Sequence, residues 1–467
     1  MPKTLLFSFS SADCFKNFYA LPGSLLEQLA SPLSSGKIRV VFVIQEHRKG
    51  EIEGLLKYRD KTPNVFIESV FVKQRGNLSN FEKLFVFFYA YLVYTNTTKV
   101  LATMGMRLDE PPRGSGKIFA PLKWLLSRTF GKIPFIRNSF VPWLHERVFP
   151  ERPFKDLFDS YKPNLVFTPH LHDRFDQEMS REAKRRGVRR LGMTLNWDHY
   201  DKYFLPFLPP RLLIQSEQMK DFAHRFQHYP LSQMTVVGYP FLDYIYGGKY
   251  TTSREETLKT LGFPQDAKYI MYIAGSMFCP DEPDVIEEMI RWEEEGVFGA
   301  NVYFVIRPYP GGRGRDDVFD KQKFERFRAH PKVSVQMQKF WAGMETNMEF
   351  MNVMRHASAI MAIYSTAVLP AVALDRPLLT LGFDGYTKRP FHESVTRFAI
   401  REHFKDVVDS GGQVVAKDFS HLKAKLIEYL KNPHAEHAER EALRARILGP
   451  FDGKASERIF REIMSSL

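Results

Sequence analysis

Short apolar runs alternate along the whole chain with longer stretches in which apolar residues recur every three or four positions. In the first half the runs are KTLLFSFS, IRVVFVIQ, PNLVFTPH, RRLGMTLN, RLLIQSE and MTVVGYP. Runs of that length, rich in Val, Ile, Leu and Phe, read as strands covered on both faces, as in a parallel sheet. Between them GSLLEQLA, DRFDQEMSREAKRRG and EQMKDFAHRFQ carry the helical period. The pattern breaks at 246–256, YGGKYTTSREE, where two glycines precede a Ser/Thr cap signal, so a domain linker is expected there. The second half begins afresh with AKYIMYIAGS, NVYFVIRP, KVSVQMQ, SAIMAIYST, RPLLTLGF and GGQVVA as strands. PDVIEEMIRWEEEG, KQKFERFRAH and METNMEFMNVMRH read as the helices between them, and amphipathic helices near HLKAKLIEYLKN and KASERIFREIMSSL close the chain. Strands alternating with helices predict an α/β class with parallel sheets. The expectation is two Rossmann-like domains facing across a cleft, residues 1–246 and 253–450, with a C-terminal helix at 451–467.

In an open parallel sheet, ligands sit beyond the carboxyl ends of the strands. The strand exits are therefore where chemistry is sought. In the second half Gly275 and Ser276 end one strand with small residues that let a ligand approach the backbone. Arg307 ends the next, in FVIRPYPGGRGR, followed by Tyr309, Arg313 and Arg315. Ser365 and Thr366 lie between a strand and the helical run TAVLPAVALD. Hydroxyls and free N–H groups at such a start suit phosphate, although a plain N-cap uses the same residues. Asp384, in LGFDG, ends a further strand and is a ready ion-pair partner for Arg307. In the first half His170, His172, Asp173 and Asp176 cluster where a strand turns into a helix, the place for a general base acting on a hydroxyl. Asp173 can equally serve as that helix's N-cap. His170 and His172 have metal-pair spacing, but no third ligand follows at motif distance, so no metal is expected.

Charge narrows the partners. The 467 residues hold 66 Lys and Arg against 54 Asp and Glu, a formal charge of +12. That surplus points to an anionic partner such as a phosphorylated small molecule or an anionic membrane face. No GxxxxGK[ST] and no GxGxxG after a first strand occurs, which argues against a P-loop and against dinucleotide binding. No nucleic-acid signature is present. Two cysteines give no disulfide framework, which fits a reducing, cytoplasmic setting. The N-terminus lacks the apolar run of a signal peptide, and LFVFFYAYLVY (84–94) is about half the length that spans a bilayer. Residues 113–147 carry seven Lys or Arg against one acid, with two Trp and four Phe. With the aromatic run before it, this insert at about 80–147 suits a surface lying on anionic lipid, at the inner face of a membrane.

From about Pro163 onward the chain resembles the GT-B glycosyltransferases, in the bacterial surface-polysaccharide branch that includes CDP-glycerol glycerophosphotransferases. The likeness rests on Asn196-Trp197-Asp198-His199 after a strand and on Arg307-Pro308-Tyr309-Pro310 at a strand exit. It rests also on YSTAVLPAVALDRPLL (364–379) and on Asp452-Gly453-Lys454-Ala455 near the end. Tyr309 stands where the family usually has His, and Pro370 where it commonly has Glu. The resemblance implies a nucleotide-sugar donor on the C-terminal domain, a glycan or lipid-linked acceptor on the N-terminal domain, and transfer without a cofactor or metal. It leaves room for C-terminal helices that cross back to the N-terminal domain. By carry-over, Arg307, Ser365 and Thr366 would touch donor phosphates and Asp173 or Asp176 would be the base. Asn196, Trp197 and Asp198 would belong to the acceptor cleft. Alternatives are CDP-polyol phosphotransfer, sugar-nucleotide epimerisation, and a non-catalytic basic protein that binds membranes or nucleic acid.

Overall fold

A computed structural model describes residues 2–10, 24–46, 53–102, 119–194, 196–248, 250–276, 279–309, 322–337 and 344–467. The chain forms two compact units. Unit 1 comprises Met1–Tyr94, Pro121–Tyr246 and Leu448–Leu467, and unit 2 comprises Thr95–Ala120 and Gly247–Ile447.

Unit 1 contains a seven-stranded sheet of β1 (Lys3–Phe9), β2 (Ile38–Gln45), β3 (Val65–Val70), β4 (Leu165–Thr168), β5 (Arg189–Met193), β6 (Leu212–Ile214) and β7 (Met234–Val236). The order is β3-β2-β1-β4-β5-β6-β7, parallel throughout. Unit 2 contains β8 (Lys268–Ile273), β9 (Val302–Arg307), β10 (Val333–Val335), β11 (Ala359–Ala362), β12 (Leu378–Leu381) and β13 (Val414–Ala416). Its order is β10-β9-β8-β11-β12-β13, again all parallel. Each sheet reverses its winding once, at β1/β4 and at β8/β11, and such a switch opens a crevice at the strand ends.

The helices that matter here are α1 (Leu25–Ser34), α2 (Asn80–Ala90), α3 (Ala120–Arg128), α4 (Val141–Val148), α5 (Arg174–Arg185), α6 (Glu217–Gln227), α7 (Glu282–Glu294), α8 (Val368–Ala373) and α9 (Ala455–Ser466). Side chains alternate across the sheet of unit 1 as the pleat requires. Leu5, Phe7 and Phe9 pack on one face with Leu25 and Leu29 of α1 and with Ile459, Ile463 and Leu467 at the chain's end. Leu6, Val41 and Val166 pack on the other with Phe175, Met179 and Ala183 of α5. The C-terminal helix therefore crosses back into the first unit's core. A third cluster joins Phe85 and Tyr89 of α2 to Val141, Phe149 and Phe204.

The elements differ from the sequence reading in several places. Strand β3 was not read, because it lies at the sheet edge, where Phe66 is exposed, Glu68 is half-buried and Val65 is buried. In KQKFERFRAH, whose Lys321 lies outside the described residues, Gln322 is helical but no helix continues past it, and Glu325–Phe327 form a 3₁₀ turn. The helix at TAVLPAVALD starts only at Val368, with Ala367 in the cap position. The 80–147 stretch is not one insert: the described residues 95–102 belong to unit 2, where Asn96 N–H donates to Glu402 Oε1 (3.2 Å) and Glu402 N–H to Thr97 Oγ1 (3.0 Å). No helix among the described residues is long and apolar enough to cross a membrane.

Candidate functional site

The crevice of unit 1 lies where β1 and β4 end. β4 delivers Pro169 and His170 directly after Thr168, and β1 delivers Ser10. Ser10 Oγ and His170 Nδ1 are 3.1 Å apart, a bond between residues 160 apart in sequence. Asp173 caps α5, with Oδ1 accepting from Phe175 N–H at 2.8 Å. Asp176, one turn in, is fully buried. Burial, with Asp173 beside it, pushes its carboxyl well above the usual range, and the nearby Ser8 and Ser10 hydroxyls only partly offset this. Neither Asp176 oxygen has hydrogen-bond geometry to a partner. The group is thus a buried acid whose protonated form is favoured, not an exposed carboxylate.

The loop after β5 completes the group. His199 is buried, its ring 5.2 Å from that of His170 and 5.0 Å from that of His172. Burial holds His199 well below its usual value, and His172 falls to about 3 for the same reason, with Lys202 and His170 adding to it. Both imidazoles are neutral at pH 7. Trp197 is buried as a loop anchor, and Thr194 Oγ1 donates to the Asn196 carbonyl (3.3 Å). Asp198 pairs with Lys202 at 2.5 Å.

Beside this group opens a cavity of about 250 Å³. His170, His172, Asp173, Arg174 and Gln177 line one side; Gln74, Arg75, Phe87, Tyr91 and Tyr203 are among the residues of the rest. Tyr203 stacks on His172 at 5.6 Å. Arg174 Nη1 and His172 Nδ1 are buried there without hydrogen-bond partners. An aromatic wall with a few convergent polar groups is what a small-molecule site requires. Asp176, Asn196, Trp197 and Asp198 do not line this cavity.

In unit 2 the exits of β8, β9, β11 and β12 carry the expected residues. Arg307 is 7% exposed. Its guanidinium lies 4.3 Å from the Phe350 ring centroid, with Glu349 near, and its Nη2 has no hydrogen-bond partner. Burial lowers its pKa to about 10, so it stays cationic at neutral pH. The expected pairing with Asp384 is not made: Asp384 Oδ1 accepts from Val395 N–H at 2.6 Å and so holds a loop. Tyr309 is exposed just beyond β9, and Arg313 lies outside the described residues. Ser365 Oγ accepts from Ala367 N–H at 3.4 Å, and Thr366 is exposed. Neither caps α8. Tyr364, immediately before them, is buried with φ at +39°, a left-handed backbone that a bulky residue seldom adopts.

Sequence reasoning missed the support beneath Gly275 and Ser276. Glu282 of α7 accepts from Gly275 N–H at 2.7 Å and pairs with Lys323 at 2.5 Å, both side chains 2% exposed. Lys323 also donates to the Gly275 and Ser276 carbonyls at 3.4 and 3.3 Å. A side chain at position 275 would place its Cβ 2.7 Å from Cys279 Sγ, so any larger residue there would force the buried Cys279 to shift. Arg397 and Arg401 add positive potential around Cys279. Ser10 and His199 were also missed. Ser10 could have been found, since the switch-point rule marks the end of the central strand β1. The Glu282–Lys323 pair joins residues 41 apart with no local signal.

Among the described residues, the group spaced closely enough for a metal is Asp375, His437 and Glu441, and it does not include His170 or His172. Its Asp375 already accepts from Arg440 Nε (2.9 Å) and lies 2.8 Å from His437 Nδ1.

No family model and no curated protein sequence matches the chain. Its fold is nonetheless shared by solved structures. A Listeria monocytogenes protein assigned as a UDP-N-acetylglucosamine 2-epimerase matches with a TM-score of 0.54 at 12% identity, over 100% of this chain and 97% of the other. UDP-GlcNAc 2-epimerase of Methanocaldococcus jannaschii matches with 0.51 at 12%, over the whole of both chains. A glycosyltransferase of Rickettsia africae matches with 0.47 at 9%, over 99% of each. The fold is of the GT-B type.

Proposed function

We propose that the chain is a glycosyltransferase. It moves a sugar from a nucleotide-activated donor to a hydroxyl of a growing surface glycan or a lipid-linked acceptor, without a metal and with inversion. The observation that carries the reading is Arg307, a buried cation at a strand exit whose Nη2 has no hydrogen-bond partner. A buried charge without a carboxylate partner is costly to keep, and a donor phosphate supplies the missing acceptor. In this reading Ser365 and Thr366 offer hydroxyls to the phosphates, while the backbone of Gly275 and Ser276 is held by Glu282 and Lys323. Arg307 takes up the charge that develops on the leaving nucleoside phosphate, the part a divalent cation plays in other enzymes.

The acceptor belongs to the cavity of unit 1. Asp176 is buried with its protonated form favoured, and Asp173 commits one oxygen to its helix. We assign the base to His170, which lines the cavity and is oriented through Nδ1 by Ser10. The acceptor hydroxyl gives its proton to His170 as its oxygen bonds to the anomeric carbon and the nucleoside phosphate departs. Sugar-nucleotide epimerisation is the second reading, favoured by the fold shared with epimerases. An epimerase needs no separate acceptor, whereas the aromatic cavity of unit 1 offers a site for one.

Thermal unfolding against UDP, UMP, CDP, CMP, GDP and dTDP, each with and without EDTA, tests the proposal. A shift with one base, unchanged by EDTA, is the expected result and names the donor class. A shift that EDTA abolishes refutes the metal-free step. No shift with any nucleotide removes the donor site. Product formation only when an acceptor is added separates transfer from epimerisation.

A further inference from the structure

The surface of unit 1 formed by residues 80–92 and 121–148 is built the wrong way round for water. In α3, Leu122, Trp124 and Leu125 are 45–55% exposed, while Lys123 between them is 4% exposed. The Lys123 ammonium lies 4.5 Å from the Tyr91 ring centroid, and burial lowers its pKa. Arg137 repeats the inversion: it is buried, donating to the carbonyls of Gly131 (2.9 Å) and Phe226 (2.7 Å), while Phe135 is 64% exposed. An amphipathic helix in water turns leucine and tryptophan inward and lysine outward. Here Lys123 and Arg137 face the protein and the rings face out.

The inversion extends over neighbouring elements. Helix α2 exposes Phe81 and Leu84, and α4 exposes Trp143. Both helices share one core cluster, and Phe88 of α2 meets Phe130, just past α3, at 6.0 Å. Large exposed apolar patches on folded domains mark interaction surfaces.

Charge says what covers it. Lys83, Arg128, Lys132 and Arg147 are exposed among these rings. Each exposed tryptophan carries an arginine one turn later: Arg128 lies 5.9 Å from the Trp124 centroid and Arg147 3.8 Å from that of Trp143. A ring that reaches the acyl boundary beside a cation that meets lipid phosphate is the arrangement of an interfacial anchor. A second copy of the chain would bring like charge to the face; anionic lipid brings the opposite. We propose that this face docks on the surface of an anionic lipid bilayer, with its tryptophans and phenylalanines in the headgroup layer. The inference stands whether or not the chain transfers a sugar.

Sedimentation of the full chain with vesicles tests it, using phosphatidylcholine alone or with one third phosphatidylglycerol, at low and high salt. The expected result is binding to the anionic vesicles, weakened by salt, and little binding to the neutral ones. Trp124→Ser with Phe135→Ser should lower the partition about tenfold or more. Both side chains are exposed, so circular dichroism and the unfolding temperature should stay those of the parent. Equal recovery from anionic and neutral vesicles, or none from either, overturns the proposal. Anionic binding that the double variant leaves intact also overturns it, since charge alone would then suffice. A lipid-free dimer that Trp124→Ser dissolves assigns the face to a second copy instead.

Discussion

Arg307 is kept at a cost, and the cost is measurable. Its side chain is buried against Phe350 with one nitrogen unpartnered. Arg307→Met removes that penalty and fills the space, so the unliganded variant should unfold at or above the parent temperature. The same variant should lose nucleotide affinity by about 2–4 kcal/mol, roughly 30- to 1000-fold, which isothermal titration with the nucleotide identified above would read. A variant that loses stability and keeps the nucleotide response would remove Arg307 from the site. The buried titratable groups of unit 1 give a second signature. His172 takes up a proton only near pH 3 in the folded state, because burial and then Lys202 disfavour its charge, and His199 and His145 are held low as well. The unfolded chain binds those protons near pH 6.5. Between pH 6.5 and 3 the unfolded state therefore holds more protons, and stability falls as pH falls. His172→Gln should flatten this acid limb, by of order 1–2 kcal/mol at pH 5. Asp176 has the opposite sign. The folded state keeps its proton above the usual carboxyl range, so stability is lost as pH rises past that range. Asp176→Asn should raise stability at pH 8 and change little at pH 4, as urea unfolding at the two values would show.

The Glu282–Lys323 pair ties α7 to the exit of β8, and its strength follows from its burial. Lys323→Met leaves a buried carboxylate uncompensated and should cost about 3–5 kcal/mol; adding Glu282→Gln should recover part of that. Urea unfolding of the two variants and the double variant forms the cycle that checks it. A null result for Lys323→Met would mean that Gly275 and Ser276 are held by other contacts. This pair also shows where sequence reading stops. The apolar runs at β1, β2, β4, β8, β9 and β11 were legible because each keeps at least three consecutive apolar residues, as a strand covered on both faces can. The edge strand β3 was not, since an exposed Phe66 and a half-buried Glu68 that accepts from Tyr161 interrupt it. Strand exits could be named from the topology rule, which is why Arg307, Ser365 and His170 were singled out. Their partners could not: Ser10 reaches His170 across 160 residues, and Asp384 bonds Val395 where charge alone suggested Arg307.

At the scale of the chain, the fold-back of α9 closes a core that begins at β1. Ile459 and Ile463 are fully buried against Leu5, Phe7 and Leu29. Ile463→Asp should unfold unit 1 by placing a charge among them, with loss of its near-ultraviolet signal as the readout. Unit 2, whose described core uses none of these residues, should keep any nucleotide-induced thermal shift. The same fold-back sets a timetable. Residues 1–246 leave the ribosome first, yet the face of their sheet that receives α9 stays open until residues 455–467 have been made. At about 5–20 residues per second that is a delay of roughly 10–40 s. Throughout it the part of that apolar face beside α1 is uncovered, so the nascent chain should be a chaperone client in its first half, and unit 2 should be the first to resist protease during synthesis.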